Sequence, residues 1–284
     1  MSAKPKIGGH LSIRAGYAGA AEAALQLGAG AFQYFPKNPR SLTVKTFDPR
    51  DAERCRRLCR EHDILSIAHT PYPSNLAATP GEKGGQFERT VLSLRNDLEI
   101  AEACGSVGIV VHFGTYKDRN PLQGYQNIIQ CINEVLSGWK GKAKLLIENQ
   151  AGDHGGMGMT LEELVQIRNL SIAPDRIGFC LDTCHAFAAG MWGGAGDDAF
   201  VPKAEQLGYL DAMAAVHLND SKYPHLSRKD RHARVGQGYI GESGFRRLLE
   251  TEAIREKPLI LESETGADGT YREDIELVGR WMEA

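Results

Sequence analysis

The chain has no long uninterrupted apolar run anywhere in its 284 residues. A membrane-spanning helix needs roughly 20 such residues in a row. A secretory leader needs a shorter apolar core behind basic residues, but Met1-Ser2-Ala3-Lys4-Pro5-Lys6 passes straight into a strand-like run. The expectation is a cytoplasmic protein with no membrane partner. Charge of one sign is also scarce: 33 Lys+Arg face 36 Asp+Glu, a formal net charge of −3. That argues against a surface that binds nucleic acid all over, while allowing a local basic cleft. The six cysteines lack zinc-ribbon spacing. Cys55 and Cys59 are four apart on a helix pattern, and all six read as reduced, mostly buried thiols. No linker, composition break or low-complexity tract divides the chain. The hydrophobic share of 42% and charged share of 24% are those of an ordinary globular protein. The length suits two domains or one (β/α)-barrel of roughly 250 residues.

What is present is a sustained alternation of strand-like and helix-like segments. Strand patterns fall at Ile7–Ser12, Ala31–Phe35, Ser66–Thr70, Gly108–Phe113, Lys144–Asn149, Ile177–Asp182, Ala212–Leu218 and Leu259–Ser263. They are apolar runs rather than two-period alternations, as expected of parallel strands buried on both faces. Helical stretches lie between them. Asp48 with Pro49 opens one that runs to about His62, by the capping preferences of those residues. Val91, Leu94, Leu98 and Ala101 space out another, which Gly105 ends. Further helices are expected at Ala18–Leu27, Leu122–Leu136 and near Val201–Leu207. Thr160 with Glu163, and Thr270 with Glu273, are capping-box pairs. The predicted fold is α/β, a single (β/α)8 TIM barrel spanning residues 1–284, with a doubly wound sheet as the alternative. The segment Asp220–Gly238 is polar, basic and long for a βα connection, which marks it as functional.

The ends of the strand patterns carry the chemistry. Of the nine histidines, His69, His112, His185 and His217 lie at or near the ends of apolar runs, and His232 follows the last of these runs in the segment Asp230-Arg231-His232. Glu148, Asp182 and Glu262 end further runs, and Asp230 lies two residues before His232. In a barrel, strand C-terminal ends face one mouth, where active sites lie. Four carboxylates at one mouth repel unless protonated or paired with cations, and few Lys or Arg terminate these strands. Imidazole and carboxylate are ligands of zinc-type ions. Nine such groups exceed the four of one tetrahedral site, which implies two or three ions and a shared carboxylate. Of the other histidines, His62 is expected on a helix surface, His10 beside the mouth without ligating, and His154 and His225 in loops.

With these residues in place, the chain resembles the endonuclease IV family of abasic-site DNA-repair enzymes. The matching segments are Leu181-Asp182-Thr183-Cys184-His185-Ala186-Phe187-Ala188-Ala189-Gly190, His217-Leu218-Asn219-Asp220-Ser221-Lys222, Asp230-Arg231-His232 with Gly236-Gln237-Gly238-Tyr239-Ile240-Gly241, and Leu259-Ile260-Leu261-Glu262. Weaker matches are Ile147-Glu148-Asn149-Gln150-Ala151-Gly152 and Lys37-Asn38-Pro39-Arg40. The resemblance implies three Zn2+ per chain, with Mn2+ an alternative at one site. His69, His112 and Glu148 would hold the first ion. Glu148, Asp182, His217 and Glu262 would hold the second, and His185, Asp230 and His232 the third. It further implies hydrolysis of double-stranded DNA 5′ to abasic sites by a hydroxide bridging two zinc ions, with the third on the leaving 3′-oxygen. Glu148, Glu262 and Asp182 are the expected catalytic residues. Arg40, Tyr72, Arg231 and Lys222 are the expected DNA contacts, on a protein that acts as a monomer. Arg228, Lys229 and Arg234 add basic charge to the same loop. Three divalent ions would take the formal charge from −3 to +3.

The chain departs from the family pattern at Pro73, where an apolar wedge is common, at Ser41-Leu42, where an aromatic often stands, and in the loop from Gly152 to Met159 with its Asp153-His154-Gly155-Gly156 run. Two rival functions are a sugar isomerase or epimerase on a related metal-bearing barrel, and a non-catalytic DNA- or metal-binding module. The first would bind one or two ions, and the second would bind abasic DNA without cutting it.

Overall fold

A computed structural model describes residues 5–116, 120–153 and 155–283, so the expectation for His154 lies outside them. The strands are β1 (Ile7–His10), β2 (Ala31–Tyr34), β3 (Leu65–His69), β4 (Gly108–Val111), β5 (Lys144–Glu148), β6 (Ile177–Asp182), β7 (Met213–His217), β8 (Asp220–Ser221), β9 (His232–Ala233) and β10 (Leu259–Leu261). Strands β1 to β7 and β10 close into a barrel. Each pairs in parallel with its neighbours, and β1 bonds to both β2 and β10. That closure makes the fold a (β/α)8 TIM barrel and rules out the open doubly wound sheet.

Side chains alternate across each strand, and the barrel uses the alternation to sort its core. Ala31, Ile67, Val110, Leu146, Cys180, Ala215 and Ile260 form one buried cluster, with one residue from each of seven strands. Their neighbours, such as Ile109, Val111, Leu145, Ile147, Leu259 and Leu261, join a separate cluster that packs under the helices. The eighth strand contributes Gly8 at this level. A Cβ there would stand 1.6 Å from the Ala31 carbonyl oxygen, so no side chain fits.

Of the helix ends expected from capping residues, those at Asp48, Gly105 and Thr160 form as expected. Asp48 accepts from the Arg50 N–H, with Pro49 at the first helical position. Thr160 and Glu163 complete a reciprocal capping box. Gly105 ends Gln86–Cys104 at φ 74°, a left-handed conformation open to glycine. Thr270 and Glu273 behave differently. The last helix starts at Arg272, whose N–H bonds to Thr270 Oγ1 at 3.2 Å, while Glu273 is drawn to Arg234 at 2.9 Å. The expected alternation of eight helices with eight strands is also too simple. Between β6 and β7 stand three short α-helices, Thr183–Ala189, Phe200–Gln206 and Tyr209–Ala212, and a 3-10 turn at Gly194–Gly196.

The segment from Asp220 to Gly238 is not an open loop. Its ends pair as antiparallel β8 and β9. Buried Asp220 accepts from the N–H groups of Gly238 and Ile240 at 2.9 Å. No helix among the described residues is long and apolar enough to cross a membrane.

Leu146 fills the barrel axis and is fully buried. Leu146→Ala is expected to cost about 2–5 kcal/mol of folding stability, read from urea unfolding. A loss under about 1 kcal/mol, below that range, would mean that the inner cluster does not carry the barrel.

Candidate metal centre

The inner cluster sets the positions of the site residues. One period along the same face, two residues toward the strand C-terminus, Ile67 gives His69, Val110 gives His112, and Leu146 gives Glu148. In the same way Cys180 gives Asp182, Ala215 gives His217, and Ile260 gives Glu262. A dry apolar layer therefore lies directly beneath six of the nine expected ligands. The other three come from the segments after β6 and β7. Asp182 caps the helix Thr183–Ala189 by accepting from the His185 N–H at 2.8 Å, which brings the His185 ring to the mouth. The β8–β9 pairing returns Asp230 and His232 to it.

The structure gathers all nine residues, with several donor atoms at coordination spacing. Ligands of one tetrahedral ion with bonds near 2.0–2.1 Å stand roughly 3.3 Å apart. His69 Nε2 and His112 Nε2 are 3.2 Å apart, and Glu148 Oε2 lies 3.8 and 3.0 Å from them. His217 Nδ1 lies 3.0 Å from Glu148 Oε1, 3.2 Å from Glu262 Oε2 and 3.8 Å from Asp182 Oδ2. Asp230 meets His185 Nε2 at 3.3 Å and His232 Nε2 at 3.1 Å. Within each of the groups His69/His112/Glu148, Glu148/Asp182/His217 and His185/Asp230/His232, the donor atoms all lie within 4.8 Å of one another. Cys184 forms a further group with Asp182 and His232. Burial pushes its thiol well up, against the thiolate that a metal takes.

These groups fit divalent ions. Glu148 Oε2, His185 Nε2 and His232 Nε2 are buried and form no hydrogen bond, although each faces a charged partner at ion-pair distance. Buried polar atoms are seldom left so. The charges point the same way. Burial alone would raise the Glu148 carboxyl, yet His112 and His217 hold it well below the usual range. Against the burial effect, Glu262 is held down at about 2, chiefly by His217. Burial would lower His185, but Asp182 and Asp230 raise it well above its ordinary value. His217 is raised likewise, against burial, by Cys180, Glu262 and Glu148.

Three amides that the sequence did not single out hold this array. Gln33 touches His217, Glu262 and His10. Asn219 Nδ2 donates to Asp182 Oδ2 at 2.8 Å and to Glu262 Oε2 at 3.1 Å. Asn149 Oδ1 accepts the Asp182 N–H at 2.8 Å, and the Asn149 carbonyl accepts His185 Nδ1–H at 2.9 Å. Gln33 stands two residues after Ala31, in the same register as the ligands. That spacing is its one signal in the sequence, and it is hidden among residues picked out by charge.

At the rim, a cavity of about 420 Å³ is lined by His69, Tyr72, His112, Gln150 and Asp230. Tyr72 is 69% exposed, and its ring lies 5.2 Å from Phe35. Its N–H donates to the Pro39 carbonyl, next to exposed Arg40. Arg231 is exposed, while Lys222 pairs with Glu264 at 3.1 Å. Arg234 is not a free basic group: it binds Asp274 and Glu273. Lys37 is buried and pairs with Asp97 at 2.9 Å, so it anchors its loop rather than facing outward. Lys229 lies over the Tyr223 ring. As expected, His62 is exposed at a helix end and His225 lies in a loop, its ring 5.2 Å from Phe187.

A barrel with such a mouth belongs to a broad class, and the family described as xylose isomerase-like TIM barrels matches residues 21–283. A probable endonuclease 4 from Symbiobacterium thermophilum is 42% identical over 95% of this chain and 97% of its own. The crystal structure of endonuclease IV from Thermus thermophilus superposes with a TM-score of 0.83 at 33% identity, covering 98% of this chain and 99% of that one. The chain therefore belongs to the endonuclease IV family, a family of DNA-cleaving hydrolases. A D-tagatose 3-epimerase-like protein, 18% identical with a TM-score of 0.69 over 97% of each chain, shares the fold alone.

In the metal-free chain the neighbouring carboxylates favour protonated imidazole: His185 and His217 are raised well above their ordinary value, and His112 and His232 are raised as well. An ion takes only neutral imidazole. Metal binding is thus expected to release protons, and apparent affinity should fall as the pH drops. Calorimetry in buffers of different ionisation enthalpy reads the release directly. Zero release or proton uptake at pH 7 would contradict the charge state.

Proposed function

We propose that this chain is a metal-dependent phosphodiesterase that cuts double-stranded DNA on the 5′ side of abasic sites, acting as a monomer. The observation that carries the proposal is the position of Glu148. One oxygen faces His112 at 3.0 Å and the other faces His217 at 3.0 Å. A carboxylate so placed can serve two ions at once.

In this reading His69, His112 and Glu148 hold one zinc. Glu148, Asp182, His217 and Glu262 hold a second. His185, Asp230 and His232 hold a third, with manganese an alternative at one site. Bound divalent ions would neutralise the phosphodiester charge, supply hydroxide from a water whose pKa falls to about 7, and stabilise the departing 3′-oxygen. The chain's own residues do the rest. Asn219 and Gln33 hold Glu262 by both oxygens, and Asn149 holds Asp182. The apolar layer below the ligands excludes water from beneath the site, which strengthens each charge interaction there. Breaking the bond from phosphorus to the 3′-oxygen leaves a 3′-hydroxyl and a 5′-deoxyribose phosphate. No side-chain nucleophile is required.

Lesion selection would fall to the rim. An abasic nucleotide has no base to unstack, so extruding it spares the few kcal/mol that an intact one costs. Exposed Tyr72 would fill the gap as a wedge and offset part of the bending cost. Arg40, Arg231 and Lys222 would contact the backbone, which makes affinity fall with salt.

A duplex carrying one tetrahydrofuran abasic analogue tests the activity, since the analogue lacks the aldehyde needed for lyase chemistry. A single nick 5′ to the analogue is expected, lost on chelation and restored by zinc. No nick by zinc-replete protein, or nicking that survives chelation, would overturn the reading. Glu262→Gln should lower kcat by about 100-fold with an unchanged circular dichroism spectrum. Near-normal cleavage would remove Glu262 from the site.

A further inference from the structure

Gln33 is fully buried in β2 and is neither charged nor among the expected ligands. Its amide nevertheless touches three site residues. Oε1 lies 2.8 Å from His217 Nε2. Nε2 lies 2.5 Å from Glu262 Oε1 and 3.0 Å from His10 Nδ1. An amide oxygen only accepts hydrogen bonds, and an amide nitrogen only donates them. Ionised Glu262 only accepts, so the nitrogen must face it, and the oxygen is left facing His217. His217 must then carry its hydrogen on Nε2. With an ion bound the imidazole is neutral and keeps a single N–H, so the lone pair then falls on Nδ1. That is the atom 3.0 to 3.8 Å from Glu148, Glu262 and Asp182.

His10 completes the constraint. Its Nδ1 accepts the second amide hydrogen, which requires the neutral ring. Burial holds it neutral, pushing its pKa down to about 4. Its ring also packs against Phe35, with centroids 4.4 Å apart. The amide is thus held by three partners, each allowing the same orientation.

We propose that Gln33 is a positioning residue of the metal centre, locking His217 in the Nε2–H tautomer and steering Glu262 so that both present ligand atoms to the second ion. This rests on the metal-centre reading above. Partners that fix the far nitrogen of a ligating histidine commonly change metal affinity by about 10- to 100-fold when removed.

The test uses the full chain and metal alone. In zinc-loaded, 15N-histidine-labelled protein, long-range 1H–15N spectra should show His217 as the Nε2–H tautomer with Nδ1 metal-bound. The opposite tautomer in the wild-type protein would overturn the proposal, whatever the variants do. Gln33→Met keeps the volume and removes the bonds. In 113Cd-substituted protein it is expected to shift or weaken one resonance only. Competition with a chromophoric chelator should show one ion held about 10- to 100-fold more weakly, with the others unchanged. Unchanged affinity and spectra in Gln33→Met would overturn the role of Gln33 while leaving the metal centre standing. If the wild-type chain binds no divalent ion at all, the metal centre falls, and this proposal with it.

Discussion

Four carboxylates, Glu148, Asp182, Asp230 and Glu262, converge on one end of a closed barrel, and the first two are fully buried. Removing charges from water is expensive unless partners of opposite sign are held close. Five imidazoles supply part of that compensation, each placed within ion-pair distance of a carboxylate. The remainder is what a cluster of divalent cations would provide. The site's other features follow from this concentration of charge. The side-chain amides of Gln33 and Asn219 orient His217, Glu262 and Asp182, while that of Asn149 ties the end of β5 to the Asp182 backbone.

The barrel makes such a concentration possible at low conformational cost. Each strand ends in a residue whose direction is fixed by the pleat, so a single apolar row below aligns the row above it. Ligands on rigid strands are placed more precisely than ligands on loops. The three that lie beyond the strands are tied down by other means. His185 follows an N-cap made by another candidate ligand, Asp182. His232 sits in a short antiparallel pair whose base is fixed by the buried Asp220 carboxylate. At the rim, the buried Lys37–Asp97 pair anchors the loop that presents Arg40. Tyr72 is joined to that loop through the Pro39 carbonyl.

Much of this was legible in the sequence, for identifiable reasons. Parallel strands buried on both faces read as apolar runs, so all eight barrel strands could be located, with ends displaced by at most two residues. Charged groups and imidazoles at the ends of apolar runs stand out, so His69, His112, Glu148, Asp182, His217 and Glu262 could be picked out from the pattern, while His185, Asp230 and His232 were reached through their short spacing from a neighbouring candidate. What escaped depends on tertiary partners. Thr270 and Glu273 carry the same pattern as Thr160 and Glu163, but Arg234 lies within reach of Glu273 and takes it away from the helix end. The same contact removes Arg234 from the basic groups available to a phosphate. Gln33 escaped because a neutral amide draws no attention at a strand end. Its importance becomes visible only when His217, 184 positions later in the chain, is seen beside it.

The central claim is that Glu148 joins two cation sites at the barrel mouth. Diffraction from zinc-containing crystals, recorded on both sides of the zinc absorption edge, tests it most directly. The account predicts three anomalous peaks per chain, two of them sharing Glu148 and the third beside His185, Asp230 and His232. A map with no peak at the mouth, or with Glu148 bound to one ion only, would contradict it.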